Sequence, residues 1–326
     1  MKAAWRERYG GPQVVEVREI PKPTPGQGEV LVRVEAASVN RADLDAIVAR
    51  WAFVRMFTGL LRPRVKRVGL DVAGVVEAAG EEATRFKVGD RVFGDLFSYG
   101  SGAFAEYVAA PEKAFAAIPD HMSFEVAATL PHSAVLALQG LRLRGGRTVG
   151  QGDRVLVVGA SGNVGPFVVQ IAKSRGAHVT GVASGDKLDF VRSLGADEVI
   201  DYRTTEYTRP AQPYDWIVDV DAHQPLRRWP RALKPRGVYA AMGGSGTWLL
   251  SLLFWQPMLK LATDKTLGLM LHWRPFKPED VDELKRLVAL GAMRPVIDRR
   301  FTLDQVVAAL TYVHEGHARG KVLITS

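Results

Sequence analysis

The sequence predicts an α/β protein, with a doubly wound parallel sheet in the middle of the chain set between a β-rich head and a matching tail. Three observations predict it. From about residue 124 to residue 244, short apolar runs alternate with segments of helical period. Before that, strand-like runs follow one another between turn signals. A turn of small residues, Gly159-Ala-Ser-Gly-Asn-Val-Gly165, joins the first apolar run of the middle segment to a helix.

In the head, residues 14–17, 29–36, 73–79 and 90–93 read as strands. They are separated by Pro21-Lys-Pro-Thr-Pro-Gly26 and Val88-Gly-Asp-Arg91. In the middle, 154–158 is a continuous apolar strand. Residues 163–175 follow with Val164, Phe167, Val168, Ile171 and Ala172 on one helical side. A strand at 178–183, a helix at 187–194 and strands at 198–200, 215–220 and 238–242 continue the alternation. Buried parallel strands read as near-continuous apolar runs, which is the pattern here. After an apolar insertion reaching about residue 271 come a helix at 278–290, a strand near 296–301, a helix at 303–315 and a strand at 321–324. The tail therefore rejoins the head. The domain division is 1–122 with 270–326, and 123–269.

Composition narrows the function. An apolar fraction of 47% and a charged fraction of 24% over 326 residues suit a globular enzyme with a sizeable core. The net charge of +8 favours anionic ligands. No basic run is interleaved with aromatics, so nucleic acid is not the expected partner. The chain has no cysteine, which excludes disulfides, thiol catalysis and cysteine-ligated metal sites. The N-terminus lacks the apolar core of a signal peptide, and no apolar run approaches the roughly eighteen residues of a spanning helix. A cytoplasmic location and no transmembrane segment are the expectations.

The turn at 159–165 has the context a phosphate site requires. A strand precedes it, a helix follows, and small residues let the backbone approach a pyrophosphate at the helix N-terminus. Ser161, Gly162, Asn163, Val164 and Gly165 are the candidate contacts. This is the layout of a Rossmann dinucleotide domain, although Ala160 stands where the strict glycine motif has its first glycine. After the second strand the chain reads Ala183-Ser184-Gly185, where an NAD site has a carboxylate for the ribose hydroxyls. Ser184 offers a donor to a 2′-phosphate and Lys187 a neutralising charge, with Tyr202 as a further contact. NADPH is preferred to NADH on that ground, against the nearby Asp186.

Taken in order, Pro25-Gly26-Gln-Gly28-Glu29-Val30, Ala37-Ser-Val-Asn40-Arg-Ala-Asp43, Gly69-Leu-Asp71-Val-Ala-Gly74, Val88-Gly-Asp-Arg91, Gly102-Ala-Phe-Ala-Glu106, the nucleotide turn, Leu194-Gly-Ala-Asp197 and Gly316-His-Ala-Arg-Gly320-Lys span the chain. With these motifs the sequence resembles the medium-chain dehydrogenase/reductase superfamily, in its zinc-free quinone oxidoreductase branch. The tail and the Gly-Ala-Ser-Gly turn are most similar to the reticulon-interacting mitochondrial oxidoreductase group and its bacterial relatives. The resemblance implies a GroES-like β-rich catalytic domain with the Rossmann domain inserted and the cofactor in the cleft between them. It also implies cofactor contacts from Asn40, His317 and Arg319. Gly243 and Gly244, after the fifth strand, are where the cleft wall should approach the nicotinamide.

Zinc alcohol dehydrogenases of this superfamily have a cysteine where this chain has Asn40 and a histidine where it has Leu70. An amide and a leucine do not make a tetrahedral zinc site, so no metal is expected. Reduction of an electron-poor alkene or quinone fits better than alcohol oxidation, because conjugation activates the accepting carbon. Asn40 is expected to position the cofactor. Asp45 and His132 are weaker catalytic candidates, with surface and packing roles respectively as their alternatives. The segments 51–61 and 248–261 are unusually apolar. They read as a pocket or lid for an apolar carbonyl or quinone substrate, as core, as a homodimer interface, or as a peripheral membrane contact. Two other functions remain open: a non-catalytic NADPH-binding redox sensor, and a zinc-independent carbonyl reductase.

Overall fold

The computed structural model describes every residue except 50–54, 57, 144–145, 245, 270–275 and 326. The chain forms two compact units. The first comprises Met1–Val135, Pro275–Arg286 and Pro295–Ser326; the second comprises Leu136–Arg274 and Leu287–Arg294.

The first unit opens with an antiparallel pair, β1 (Lys2–Arg6) and β2 (Val15–Glu19). Its main sheet begins with β3 (Glu29–Val39), followed by helix α1 (Arg41–Val48), β4 (Asp71–Ala79), β5 (Arg91–Asp95), β6 (Tyr107–Pro111) and β7 (Phe115–Ala117). Helix α2 (Phe124–Ala128) packs on β3 and β4, so the unit runs on through His132.

The second unit carries the alternation the sequence predicts. Helix α3 (Ser133–Gly140) begins in the first unit and ends in the second, and after it come β8 (Arg154–Val158), α4 (Gly165–Ser174), β9 (His178–Ala183), α5 (Leu188–Ser193), β10 (Glu198–Asp201), β11 (Tyr214–Asp219), β12 (Leu233–Ala241), α6 (Gly246–Ala262) and β13 (Thr266–Leu269). The six strands lie in the order β10-β9-β8-β11-β12-β13 and all pair in parallel. The reversal of order on either side of β8 is the doubly wound signature, and ligands bind such sheets beyond the strands' carboxyl ends. Leu156, Ile217, Trp229 and Tyr239 are among the core residues on this sheet.

Helix α7 (Pro278–Ala289) appears where the sequence places it. Strand β14 (Ile297–Thr302), helix α8 (Val306–His314) and β15 (Lys321–Thr325) then return the chain to the first unit. There β15 pairs antiparallel with β3, completing the order β14-β15-β3-β4-β5-β7, with β6 also on β3. The tail thus joins the head's sheet. Val32, Val72, Phe104, Leu310 and Val322 are buried together in its core.

Four strands, β1, β6, β7 and β13, went unread in the sequence because each is short and rich in alanine, glycine or polar residues. The apolar insertion proves to be helix α6 followed by β13, an edge strand. Trp248 is buried, while Phe254, Met258 and Leu261 are exposed. Much of segment 51–61 lies outside the described residues; in it, Met56, Leu60 and Leu61 are exposed. Among the described residues no helix is long and apolar enough to cross a membrane.

Candidate active site: a nucleotide edge and a buried ionic cluster

In the second unit the sequence-predicted residues gather at one edge of the parallel sheet. Val158 pairs with Val182, Ala183 with Asp201, and Asp219 with both Val158 and Ala241. The loops after β8, β9, β10, β11 and β12 therefore leave the sheet side by side. They carry Ser161, Gly162, Asn163, Val164 and Gly165, then Ser184 and Lys187, then Tyr202, and finally Gly243 and Gly244.

The turn after β8 is built for close backbone approach. Gly159 has φ of +78°, a conformation glycine adopts without strain. A Cβ on Gly165 would lie 2.2 Å from the Gly159 carbonyl oxygen. That distance explains why helix and strand meet only if residue 165 has no side chain. Val164, at the N-cap of α4, caps no N–H with its side chain. The helix start is thus suited to an anion, and the residues present fit the pyrophosphate of a dinucleotide.

The second-strand corner is more mixed in charge than the sequence suggested. Ser184 and Lys187 are both nearly buried, and Tyr202 is half exposed. The Ser184 hydroxyl donates to Asp186, which holds that carboxyl below its ordinary range. Arg203, which sequence reasoning passed over, lies 4.0 Å from Asp186 and over the Tyr202 ring at 5.8 Å. Two cations, Lys187 and Arg203, thus flank one carboxylate.

Asp219, also missed, ends β11 at the centre of this edge. It is 1% exposed and accepts from the Tyr239 hydroxyl at 2.7 Å and from the Asp221 N–H at 3.3 Å. Burial pushes its carboxyl up to about 7.

The first unit holds the second constellation. Asn40, at the end of β3, is almost wholly buried. Its Oδ1 accepts from Lys321 Nζ at 2.6 Å and Ser133 Oγ at 2.9 Å, while its Nδ2 donates to Asp71 Oδ2 at 2.9 Å and, weakly, to the Ser38 carbonyl. The amide expected to position a cofactor thus has both its polar atoms bonded inside the protein. Asp71 Oδ2 also accepts from Ser38 Oγ at 2.8 Å and faces Lys321 Nζ at 3.4 Å. Asp43 accepts from the Asn40 backbone N–H at 2.8 Å and so caps α1; burial pushes its carboxyl up to about 7.

His132 is held at two points. Its backbone N–H donates to Asp71 Oδ1 at 3.0 Å, and its Nδ1 lies 3.1 Å from Asp95 Oδ2. Burial alone disfavours the imidazolium. The Asp95 carboxylate, helped by Asp71, outweighs that effect and raises His132 above its ordinary value. Burial lowers Lys321 and raises Asp71. These residues do not suit zinc: Asn40 and Asp71 already face an ammonium, and position 70 is an apolar leucine. Among the described residues no three His, Cys, Asp or Glu side chains form a metal-binding group.

Asp45 lies apart from this cluster. Its side chain is 67% exposed and lies 3.3 Å from Arg41. His317 and Arg319 occupy the loop before β15, where His317 Nε2 is 3.2 Å from Glu315 and the Arg319 N–H donates to Asp298. The sequence signal for Asp71, Asp95 and Lys321 was a lone charged residue at the end of an apolar strand, which its pattern alone does not distinguish from a solvated strand end.

Known proteins share this architecture. Residues 26–120 match the alcohol dehydrogenase GroES-like domain family, and residues 194–324 match the zinc-binding dehydrogenase family. The chain is 33% identical to the chloroplastic quinone-oxidoreductase QR1 of Triphysaria versicolor, over 99% of this chain and 98% of that protein. It belongs to the medium-chain dehydrogenase/reductase superfamily. Within that superfamily it is also 32% identical to the human mitochondrial NAD(P)H oxidoreductase RTN4IP1, over 91% of this chain and 81% of that protein. The structure of the quinone oxidoreductase from Coxiella burnetii superposes with a TM-score of 0.87 at 27% identity, covering 100% of this chain and 99% of that one. The medium-chain relatives thus agree with the architecture built above: a GroES-like unit and a Rossmann unit in one oxidoreductase.

Proposed function

We propose that this oxidoreductase reduces an apolar quinone or α,β-unsaturated carbonyl compound with NADPH and without zinc. The observation that carries the proposal is the turn at 159–165, where Gly159 takes a positive φ and the missing Cβ of Gly165 lets the start of α4 lie against the Gly159 carbonyl. When bound, the reduced nicotinamide supplies a hydride. The backbone of 161–165 would hold the pyrophosphate at the start of α4. Ser184, Lys187, Tyr202 and Arg203 would hold the ribose end.

The preference for NADPH is supported by Lys187 and Arg203, whose two cations offset Asp186 and favour a 2′-phosphate. Independence from zinc is supported by the ammonium of Lys321, bonded to Asn40 Oδ1. A quinone or enone substrate is supported by the named relatives and by its chemistry. Conjugation delocalises the incoming electron pair onto an oxygen, so hydrogen-bond donors suffice to stabilise it.

The test is oxidation of NADPH, followed by its near-ultraviolet absorbance, with phenanthrenequinone and chalcone as acceptors. Turnover with either, undiminished after dialysis against a chelator, is the expected result. No turnover with a wide panel of quinones, enones and aldehydes would overturn the proposal.

A further inference from the structure

We propose that the first unit holds a binding site of its own for an apolar carboxylate about the size of benzoate, with Arg67 receiving the carboxylate. The site holds whether or not the protein is a reductase. It follows from how β1 is attached. On one side β1 pairs with β2. On the other it meets the body of the unit through isolated bridges, Ala3 with Ala105 and Trp5 with Arg67, and through the Ala4 N–H, which donates to the Phe104 carbonyl at 2.7 Å. Ala3, Ala4 and Ala105 are too small to fill the space where these backbones meet. After β2 the chain runs through Ile20-Pro21-Lys22-Pro23, and its two prolines present no N–H to that space. What remains is a cavity of about 150 Å³, with Ile20, Pro21, Phe104 and Val108 in its wall. An apolar cavity of that volume accepts a benzene-sized body.

Among the described residues one charged side chain lines this cavity, Arg67, and no carboxylate does. Arg67 is partly buried, and its guanidinium makes no hydrogen bond or ion pair with any described residue. It lies along the loop before Phe104, where Gly100 and Gly102 have φ of +84° and +118°. A Cβ at either glycine would come 3.3 Å from the arginine, at Nη2 and Cδ respectively, so bare backbone lets the side chain lie this close. The acids of the surrounding strands are already engaged. Glu7 pairs with Lys66 at 2.7 Å and with Arg18 at 3.0 Å, and Glu77 pairs with Lys22. Glu106 accepts from the Lys2 N–H at 2.8 Å. A guanidinium left without an anion on the wall of an apolar cavity matches a ligand charged at one end and hydrocarbon at the other. Arginine takes a carboxylate through two parallel N–H···O bonds. The body meanwhile covers the apolar wall. A bare inorganic anion would use the arginine and leave that wall against water.

The experiment titrates the full chain with benzoate at about pH 7, where benzoate is ionised, and follows ¹³C-methyl-labelled alanines by NMR. The Ala3 and Ala105 methyls are expected to shift together, with a dissociation constant on the order of 1 mM. Benzamide keeps the ring without the charge, and acetate keeps the charge without the ring. Each should bind at least about tenfold more weakly. Arg67→Gln should weaken benzoate by about tenfold or more. Benzoate should also raise the thermal unfolding midpoint of the wild type and not that of Arg67→Gln, because a ligand that binds only the folded state stabilises it. No shift of the Ala3 and Ala105 methyls up to about 10 mM benzoate, or shifts confined to other alanines, would overturn the site. Acetate binding as tightly as benzoate would overturn the apolar body. Benzamide binding as tightly as benzoate would overturn the role of Arg67, and this arm decides should Arg67→Gln not fold.

Discussion

Lys321 Nζ lies 2.6 Å from Asn40 Oδ1, both groups buried, so the last strand of the chain is pinned by an ammonium to the end of β3. Asp71 lies beneath the same ammonium at 3.4 Å. A buried ion pair adds little over apolar packing, but breaking one by removing a single partner is costly. Lys321→Met is therefore expected to destabilise the protein by roughly 3–5 kcal/mol, read as a lowered urea midpoint. Lys321→Arg should not restore it, because a planar guanidinium does not fit where a compact ammonium meets Asn40 Oδ1, Asp71 Oδ2 and Ser133 Oγ.

Gly165→Ala should abolish dinucleotide binding. Its Cβ would lie 2.2 Å from the Gly159 carbonyl oxygen and 2.6 Å from Ala160, both backbone atoms that cannot rotate away. The phosphate turn has to open to admit it, at a cost of about 1–3 kcal/mol in stability. Calorimetry with NADPH checks the first effect and thermal unfolding the second.

Ser184→Asp should weaken NADPH more than NADH. It places a second carboxylate beside Asp186 where a 2′-phosphate would sit and removes the Ser184 hydroxyl that donates there. A change in the ratio of the two dissociation constants of about tenfold or more is expected. Equal losses for both cofactors would contradict the preference for NADPH.

Asp219 gives the fold a pH dependence. Its carboxyl stands at about 7 against an ordinary 3.8, so between these values the folded state holds a proton that the unfolded state has released. Its contribution to stability is fully present below about pH 4 and is lost as pH rises through about 7, up to roughly 4 kcal/mol in all. Asp43 acts in the same direction. Asp219→Asn keeps an acceptor for the Tyr239 hydroxyl and cannot ionise. Denaturation midpoints compared at about pH 5 and pH 8 should therefore fall less for this variant than for the wild type.

Asp45→Ala, by contrast, should change turnover by less than about twofold and stability by roughly 0.5 kcal/mol or less. Its side chain is 67% exposed, and its pairing with Arg41 is one helical turn on an open surface. Steady-state kinetics beside the wild type are sufficient to check this.

What could be read directly from the sequence was local. The turn at 159–165 is contiguous, its strand and helix adjoin it, and glycine is required there for reasons a few neighbouring residues determine. The alternation of strands and helices followed from side-chain period, and the tail's return to the head from its likeness to it. The ionic cluster was different. Asn40 and Lys321 are 281 positions apart, and Asp95 and His132 are 37 apart. Asn40 read as a cofactor ligand and Lys321 as part of a motif with no role assigned. The sequence could not reveal that the two groups bond each other, because hydrogen-bond partners are chosen by distance in space. Only the pairing of β15 with β3 brings that ammonium to that amide. Chain order by itself therefore determined the nucleotide turn, and the folded sheet decided which charges are buried together.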